Sequence, residues 1–180
     1  MVRAKATRTI LMYLAVMWVL YIASLFVQLN FGVIPRTVDG LYGVIGAPFL
    51  HANFFHIFSN TIGLGTFGFI YVMLEGEEIH FPFWFVAVLS GIGTWIFARQ
   101  GHHIGASGVI FGLYGYLLSI GFLTKQWKYM IVSLVIAVSY GWMIFGMLPD
   151  IFGRVSFEGH LFGFLSGVVL AKLRKWADSR

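Results

Sequence analysis

The chain has 180 residues, 59% of them hydrophobic and only 11% charged, with a mean hydropathy of +0.85. A soluble domain carries about 25% charged residues, so a soluble fold is excluded and the expected solvent is a lipid bilayer. The lack of cysteine removes disulfides and thiolate chemistry, and the net charge of +5 forms no basic stripe interleaved with aromatics, which argues against nucleic acid as a partner.

In chain order, Met1 to Arg8 carries Arg3, Lys5 and Arg8 ahead of an apolar run from Ile10 to Leu29. That run is too long for the core of a secretory signal, and no small-x-small cleavage site follows, so it reads as a retained first span. Asn30 to Phe49, with Pro35, Arg36, Asp39 and several glycines, reads as a long interfacial loop. Spans are expected at 10–29, 54–74, 81–98, 107–123, 129–148 and 159–173, each near the roughly 20 residues that a bilayer requires. Between them lie an acidic turn (Glu75-Gly76-Glu77-Glu78), a polar connection from Arg99 to Gly105, a basic turn from Thr124 to Lys128 and a loop from Pro149 to Glu158. The sixth span is short unless Lys172 and Arg174 snorkel. With no repeat and no composition shift, residues 1–180 read as one all-α polytopic membrane domain of six helices.

Six spans place both termini on one side. Arg3, Lys5, Arg8, Lys125, Lys128, Lys172, Arg174, Lys175 and Arg180 share that side, against Arg36, Arg99 and Arg154 on the other. This asymmetry predicts cytoplasmic termini in a cell membrane, with the compact size fitting a prokaryotic one. Spans two, four and six then start at the outer face, and there the polar residues collect: His51, His56 and Asn60, then Ser107, then His160. Polar groups at membrane depth are costly, so their convergence points to function.

Ser107 sits in Gly105-Ala106-Ser107-Gly108, where the fourth span begins. The first amides of a helix lack internal partners and carry partial positive charge, so those near Ala106 and Ser107 suit a developing oxyanion. Serine needs a base to become a nucleophile, and His160 is the one available at that depth. Gly159, Gly163 and Gly167 lie on one face of the sixth span, and Gly108, Gly112 and Gly115 are offered by the fourth. Small faces let two helices approach backbone to backbone, which would bring the two side chains together. His56 and Asn60, four apart, share a helix face and both donate hydrogen bonds, completing an oxyanion site. His51 is expected to brace the first outer loop. Asp150 and Glu158 have no obvious reach to His160, so a Ser-His dyad without a carboxylate is the simpler reading. A three-histidine metal site of His51, His56 and His160 is the alternative. It leaves Ser107 and Asn60 unexplained, and no H-E-x-x-H occurs.

Three motifs, His51-x4-His56-x3-Asn60, Gly105-Ala106-Ser107-Gly108 and Gly159-His160-x2-Gly163-x3-Gly167, resemble those of the rhomboid intramembrane serine proteases, in the same order and on the second, fourth and sixth core helices. The resemblance implies Ser107 as nucleophile, His160 as general base, and His56 and Asn60 with the Ala106 region at the oxyanion. It implies hydrolysis of transmembrane segments of membrane proteins through an acyl-enzyme, without metal or cofactor. Two departures stand out. Tyr42-Gly43 occupies the position of a frequent Trp-Arg pair in the first outer loop, and Phe111 replaces a tyrosine beneath the catalytic histidine. Glu75 comes later after Asn60 than the family's usual glutamate and takes no role from it. The competing readings are an inactive relative that binds membrane segments, which would normally have lost the serine or the histidine, and a small transporter, which would carry ionisable groups at the midplane. Tyr140, Trp142 and Phe145 are expected to wedge against span two as a gate, with the loop from Pro149 to Glu158 as a lid.

Overall fold

The computed structural model describes residues 2–149 and 156–179; the expected lid, with Asp150 and Arg154, lies largely outside the described residues. Seven α-helices follow in order: α1 Val2–Ser24, α2 Asp39–Gly46, α3 Phe54–Glu75, α4 His80–Phe97, α5 Ser107–Thr124, α6 Trp127–Tyr140 and α7 Phe157–Asp178. No strand occurs among the described residues, where pairing outside helices is limited to a single antiparallel bridge between Val33 and His103. The protein is an all-helical polytopic membrane bundle.

Several boundaries differ from expectation for local reasons. The first helix begins at Val2 and ends at Ser24, earlier than the 10–29 expected. Its charged start is drawn into the helix by partners, since Lys5 Nζ meets Glu78 Oε1 at 2.5 Å and the Thr7 and Thr9 hydroxyls donate to carbonyls one turn back. The first outer loop contains α2, which the sequence reading left without structure. Thr37 Oγ1 accepts from the Gly40 amide at 3.0 Å, and Asp39 complements the positive end of the helix. The fifth span is not one helix: α6 stops at Tyr140, and Gly141–Met147 tightens into 3-10 turns.

Among the described residues, five segments are long and apolar enough to cross a membrane: Arg3–Ser24, Phe54–Glu75, His80–Phe97, Ser107–Thr124 and Trp127–Met147. The sixth expected span, α7, has the length but carries Glu158, Lys172, Arg174, Lys175 and Asp178. It is held by protein rather than by its own hydropathy, because it packs on α5 and α4. Helix α5 is the hub. It contacts α3, α4, α6 and α7, and Tyr114, Tyr116, Leu113, Leu117 and Ile120 are fully buried along it.

Contacts along the helices fix their directions. Going down α5, Gly108 lies against the Gly159 carbonyl and Gly112 against that of Gly163, so α5 and α7 run parallel. A Cβ on Gly163 would fall 2.1 Å from the Gly108 carbonyl oxygen, and one on Gly167 would fall 1.8 Å from that of Gly112. No side chain fits there, so the glycine faces do meet as their spacing predicts. Gly63 against Ile110 and Tyr71 against Tyr116 show that α3 is parallel to α5 as well. The first turns of α3, α5 and α7 therefore share one end of the bundle.

The opposite end is tied by Glu75, whose side chain is fully buried. Its Oε1 accepts from Tyr116 (2.7 Å), and its Oε2 accepts from Tyr129 (3.2 Å) and from Arg174 Nε (3.2 Å). One carboxylate thus joins α3, α5, α6 and α7.

Candidate active site

Ser107 opens α5 with no side-chain cap, and its loop is shaped by Gly105. Gly105 has φ +114°, and a Cβ there would stand 2.5 Å from His56 Nε2. Both the backbone and the space demand glycine. The loop is sewn to its surroundings by the backbone. Val33 and His103 exchange two hydrogen bonds of 2.9 Å, and the Gly105 amide donates to Ala47 at 2.8 Å. With Gly105 so engaged, the next amides, those of Ala106 and Ser107, form no backbone hydrogen bond, as the start of a helix dictates. Ser107 is half-buried and lines a cleft of about 420 Å³, open solvent included, between the first outer loop, α4 and the start of α7.

His160 lies in the first turn of α7 and is buried. Its ring stacks on Phe111 with 4.0 Å between centroids and 8° between planes. The ring beneath the histidine is thus present without a hydroxyl. His160 Nδ1 is 2.8 Å from the Gly146 carbonyl oxygen. A carbonyl only accepts, so Nδ1 carries the hydrogen and the lone pair sits on Nε2. The sequence reading missed Gly146. Its signal was the glycine in the 3-10 segment, where a Cβ would come 2.9 Å from Phe111 Cζ.

His56 shows the opposite tautomer. The Ala52 amide lies 3.5 Å from His56 Nδ1, a long approach that leaves the hydrogen on Nε2, the atom beside Gly105. Asn53 caps α3 by accepting from the His56 amide at 2.9 Å, which sets the position of this turn. Asn60 is buried; its Nδ2 donates to the His56 carbonyl at 2.8 Å, and its Oδ1 has no partner. His51 is 5% exposed, its ring 5.0 Å from that of His56, and the Phe49 backbone lies beside it without a hydrogen bond of good geometry to either nitrogen among the described residues. Burial, followed by the nearby His56, lowers its pKa to about 4.

The structure thus brings His51, just ahead of α3, beside His56 and Asn60 on α3, sets His56 against the Gly105 backbone, and places Ser107 and His160 in the first turns of two touching parallel helices. No hydrogen bond joins Ser107 to His160 among the described residues. Glu158 is engaged with Arg99, its Oε1 accepting from the Arg99 amide at 3.2 Å. No group of three or more His, Cys, Asp or Glu among the described residues is placed to hold a metal ion.

Two expectations change. Trp142 and Phe145 are 67% and 72% exposed, so they face outward rather than wedging against α3; Tyr140 makes that contact, its ring 5.0 Å from Phe67. Anchoring of the first outer loop, lost with the missing Trp-Arg pair, is taken over by other residues. Arg36 Nη1 donates to the Ile96 and Ala98 carbonyls (3.0 and 2.8 Å), and Trp95 Nε1 donates to Thr37 at 2.7 Å. Arg36 has φ +59°, a local signal that sequence does not display.

Comparison of the chain with known proteins points to a described family. The model of the Rhomboid domain matches residues 38–176. An uncharacterized protein of Mycobacterium tuberculosis is 38% identical over 180 residues, covering 92% of this chain and 73% of that protein. One of Mycobacterium leprae is 35% identical over 180 residues, covering 92% and 70%. Rhomboid-like protein 11, chloroplastic, of Arabidopsis thaliana is 29% identical over 149 residues, covering 73% and 52%.

Proposed function

We propose a function from one premise: the chain belongs to the rhomboid family. It is a serine endopeptidase of the membrane that cuts transmembrane segments of other membrane proteins, as one domain over 1–180, with its site toward the outer face of a prokaryotic cell membrane.

The observation that carries this reading is the opposed surroundings of two histidine rings around the Gly105-Ala106-Ser107-Gly108 loop: His160 Nδ1 meets the Gly146 carbonyl, whereas His56 Nδ1 faces the Ala52 amide. His160 Nε2 is the nitrogen left to accept a proton, with Nδ1–H held by Gly146. His56 Nε2 is the nitrogen left to donate, beside Gly105. One ring serves as base and the other stabilises negative charge. Ser107 Oγ attacks the scissile carbonyl while its proton passes to His160 Nε2. The oxyanion is met by the amides near Ala106 and Ser107, by His56 Nε2–H and by the second Nδ2–H of Asn60. The C–N bond breaks as the leaving amine takes the proton from His160. Water, deprotonated by the same nitrogen, then frees the acyl group from Ser107. No metal or cofactor has a part in this scheme.

One observation favours a second reading, a relative that binds membrane segments without cutting them: Ser107 and His160 share no hydrogen bond. Catalytic hydrogen bonds are often long before substrate arrives, so geometry alone does not decide for it. Incubating detergent-solubilised protein with a panel of single-span substrates separates the two. Cleavage lost in Ser107→Ala and unchanged by chelators supports the protease. Binding of the same segments without cleavage supports the second reading.

A further inference from the structure

The nucleophile and the base stand on different helices, and the packing of glycine faces sets how closely those helices approach without a directional contact between their first turns. The register between them requires a polar link. Between the α4–α5 connection and the start of α7 the structure has such a link, centred on His103.

His103 is buried and four residues before Ser107. Its Nε2 lies 2.9 Å from the Arg99 carbonyl oxygen, so Nε2 carries the hydrogen and Nδ1 must accept. The atom it accepts from is the Ser156 hydroxyl, at 2.7 Å. Ser156 is the N-cap of α7: its Oγ accepts from the Gly159 amide at 3.2 Å, and its carbonyl accepts from the His160 amide at 3.2 Å. The hydroxyl therefore donates to one side and accepts from the other. A second pair runs alongside it, Glu158 Oε1 with the Arg99 amide (3.2 Å) and with Arg99 Nε (3.5 Å). On its far side, His103 is fixed to the first outer loop by its two backbone bonds to Val33. Every bond in this chain is directional. Together they leave the α5 loop and the first turn of α7 a single relative placement.

We propose that His103, through Ser156, is a positioning residue that sets the Ser107–His160 geometry. It lines the same cleft as Ser107, and the role assigned to it acts through Ser156 rather than at the reacting atoms. This rests on the serine-protease reading above. Position matters because a displacement of about 1 Å can cost about a hundredfold in rate.

The test uses the full-length protein in detergent, with His103→Ala, Ser156→Ala, Ser156→Thr and the double alanine variant. It reads kcat and KM on a single-span substrate, the rate of fluorophosphonate labelling at Ser107, and thermal stability. His103→Ala and Ser156→Ala should each lower kcat per folded molecule by roughly 10- to 100-fold, with KM within about twofold and labelling slowed in parallel. The double variant should be no slower than the slower single one, because both remove the same link. Ser156→Thr, which keeps the hydroxyl, should restore most of the rate. Wild-type kcat and labelling in the alanine variants, with only a lower melting temperature, would overturn the proposal, as would effects that multiply in the double variant. If His103→Ala does not fold, Ser156→Ala at the wild-type rate overturns it on its own. Wild-type protein that neither cleaves nor labels removes the protease reading itself, and this inference with it. Labelling in wild type at the same rate as in His103→Ala removes this inference alone.

Discussion

The two ends of the bundle solve the same problem differently. At the Glu75 end a buried carboxylate meets two tyrosine hydroxyls and a guanidinium, and both of its oxygens are engaged. At the Ser107 end, among the described residues, His51 has at best a poor contact with the Phe49 backbone, Asn60 Oδ1 has no partner, and Ser107 has no bond to His160. An unsatisfied buried polar group costs about 1–3 kcal/mol, so the second arrangement is tolerated only because the first, with the glycine-packed core, holds the helices. Satisfied groups at one end serve stability. On the proposed function, unsatisfied groups at the other end stay available to a substrate.

That contrast is broken most strongly at Ser107. Ser107→Ala should abolish cleavage of single-span substrates and leave the melting temperature unchanged, because the hydroxyl supports nothing structural. Next, Asn60→Ala and His56→Ala should lower kcat by about ten- to a thousandfold with little change in KM, read from initial rates in detergent. At the other end the sign of the trade reverses. Glu75→Ala leaves Arg174 and two tyrosines without their shared acceptor and should cost about 3 kcal/mol in denaturant or thermal unfolding. Residual folded protein should keep a near wild-type kcat. A fall in kcat with unchanged stability would erase the distinction between the ends.

Smaller effects sharpen it. Tyr140→Ala, which frees α6 from Phe67, should raise cleavage of membrane-embedded substrates about two- to fivefold while changing hydrolysis of a small soluble ester much less, since only the former must enter between helices. Trp142→Ala should do neither, because Trp142 faces outward. The last effect is on pH. The folded-state pKa of His51 lies near 4, below the 6.5 of an unfolded histidine, so the unfolded chain takes up a proton first. The neutral-ring contribution to stability is whole above pH 6.5 and is lost as pH falls from there toward 4. Thermal unfolding across that window should show the decline, and His51→Gln should make it shallower.

How much of this could be read from sequence depends on the range of the contact. Hydropathy and the placement of Lys and Arg gave the apolar spans, and glycines four apart announced the α5–α7 approach, because both signals are local. The grouping of His56, Asn60, Ser107 and His160 followed from alternating helix direction alone. The first helix began early because Lys5 found Glu78, a partner far along the chain. Gly146, Trp95 with Arg36, and His103 with Ser156 act through backbone carbonyls or across more than fifty residues, and no spacing rule reports such pairs. Glu75 looked like a surface turn, because burial by Tyr116, Tyr129 and Arg174 appears only once four helices are assembled.

The central claim is that Ser107 is a nucleophile activated by His160 at the open end of this bundle. Reaction of the solubilised protein with a fluorophosphonate, followed by peptide mass spectrometry, tests it most directly. The account predicts one adduct, on Ser107, with labelling lost in His160→Ala while the variant stays folded. An adduct on another residue, or unchanged labelling of Ser107 in folded His160→Ala, would contradict it.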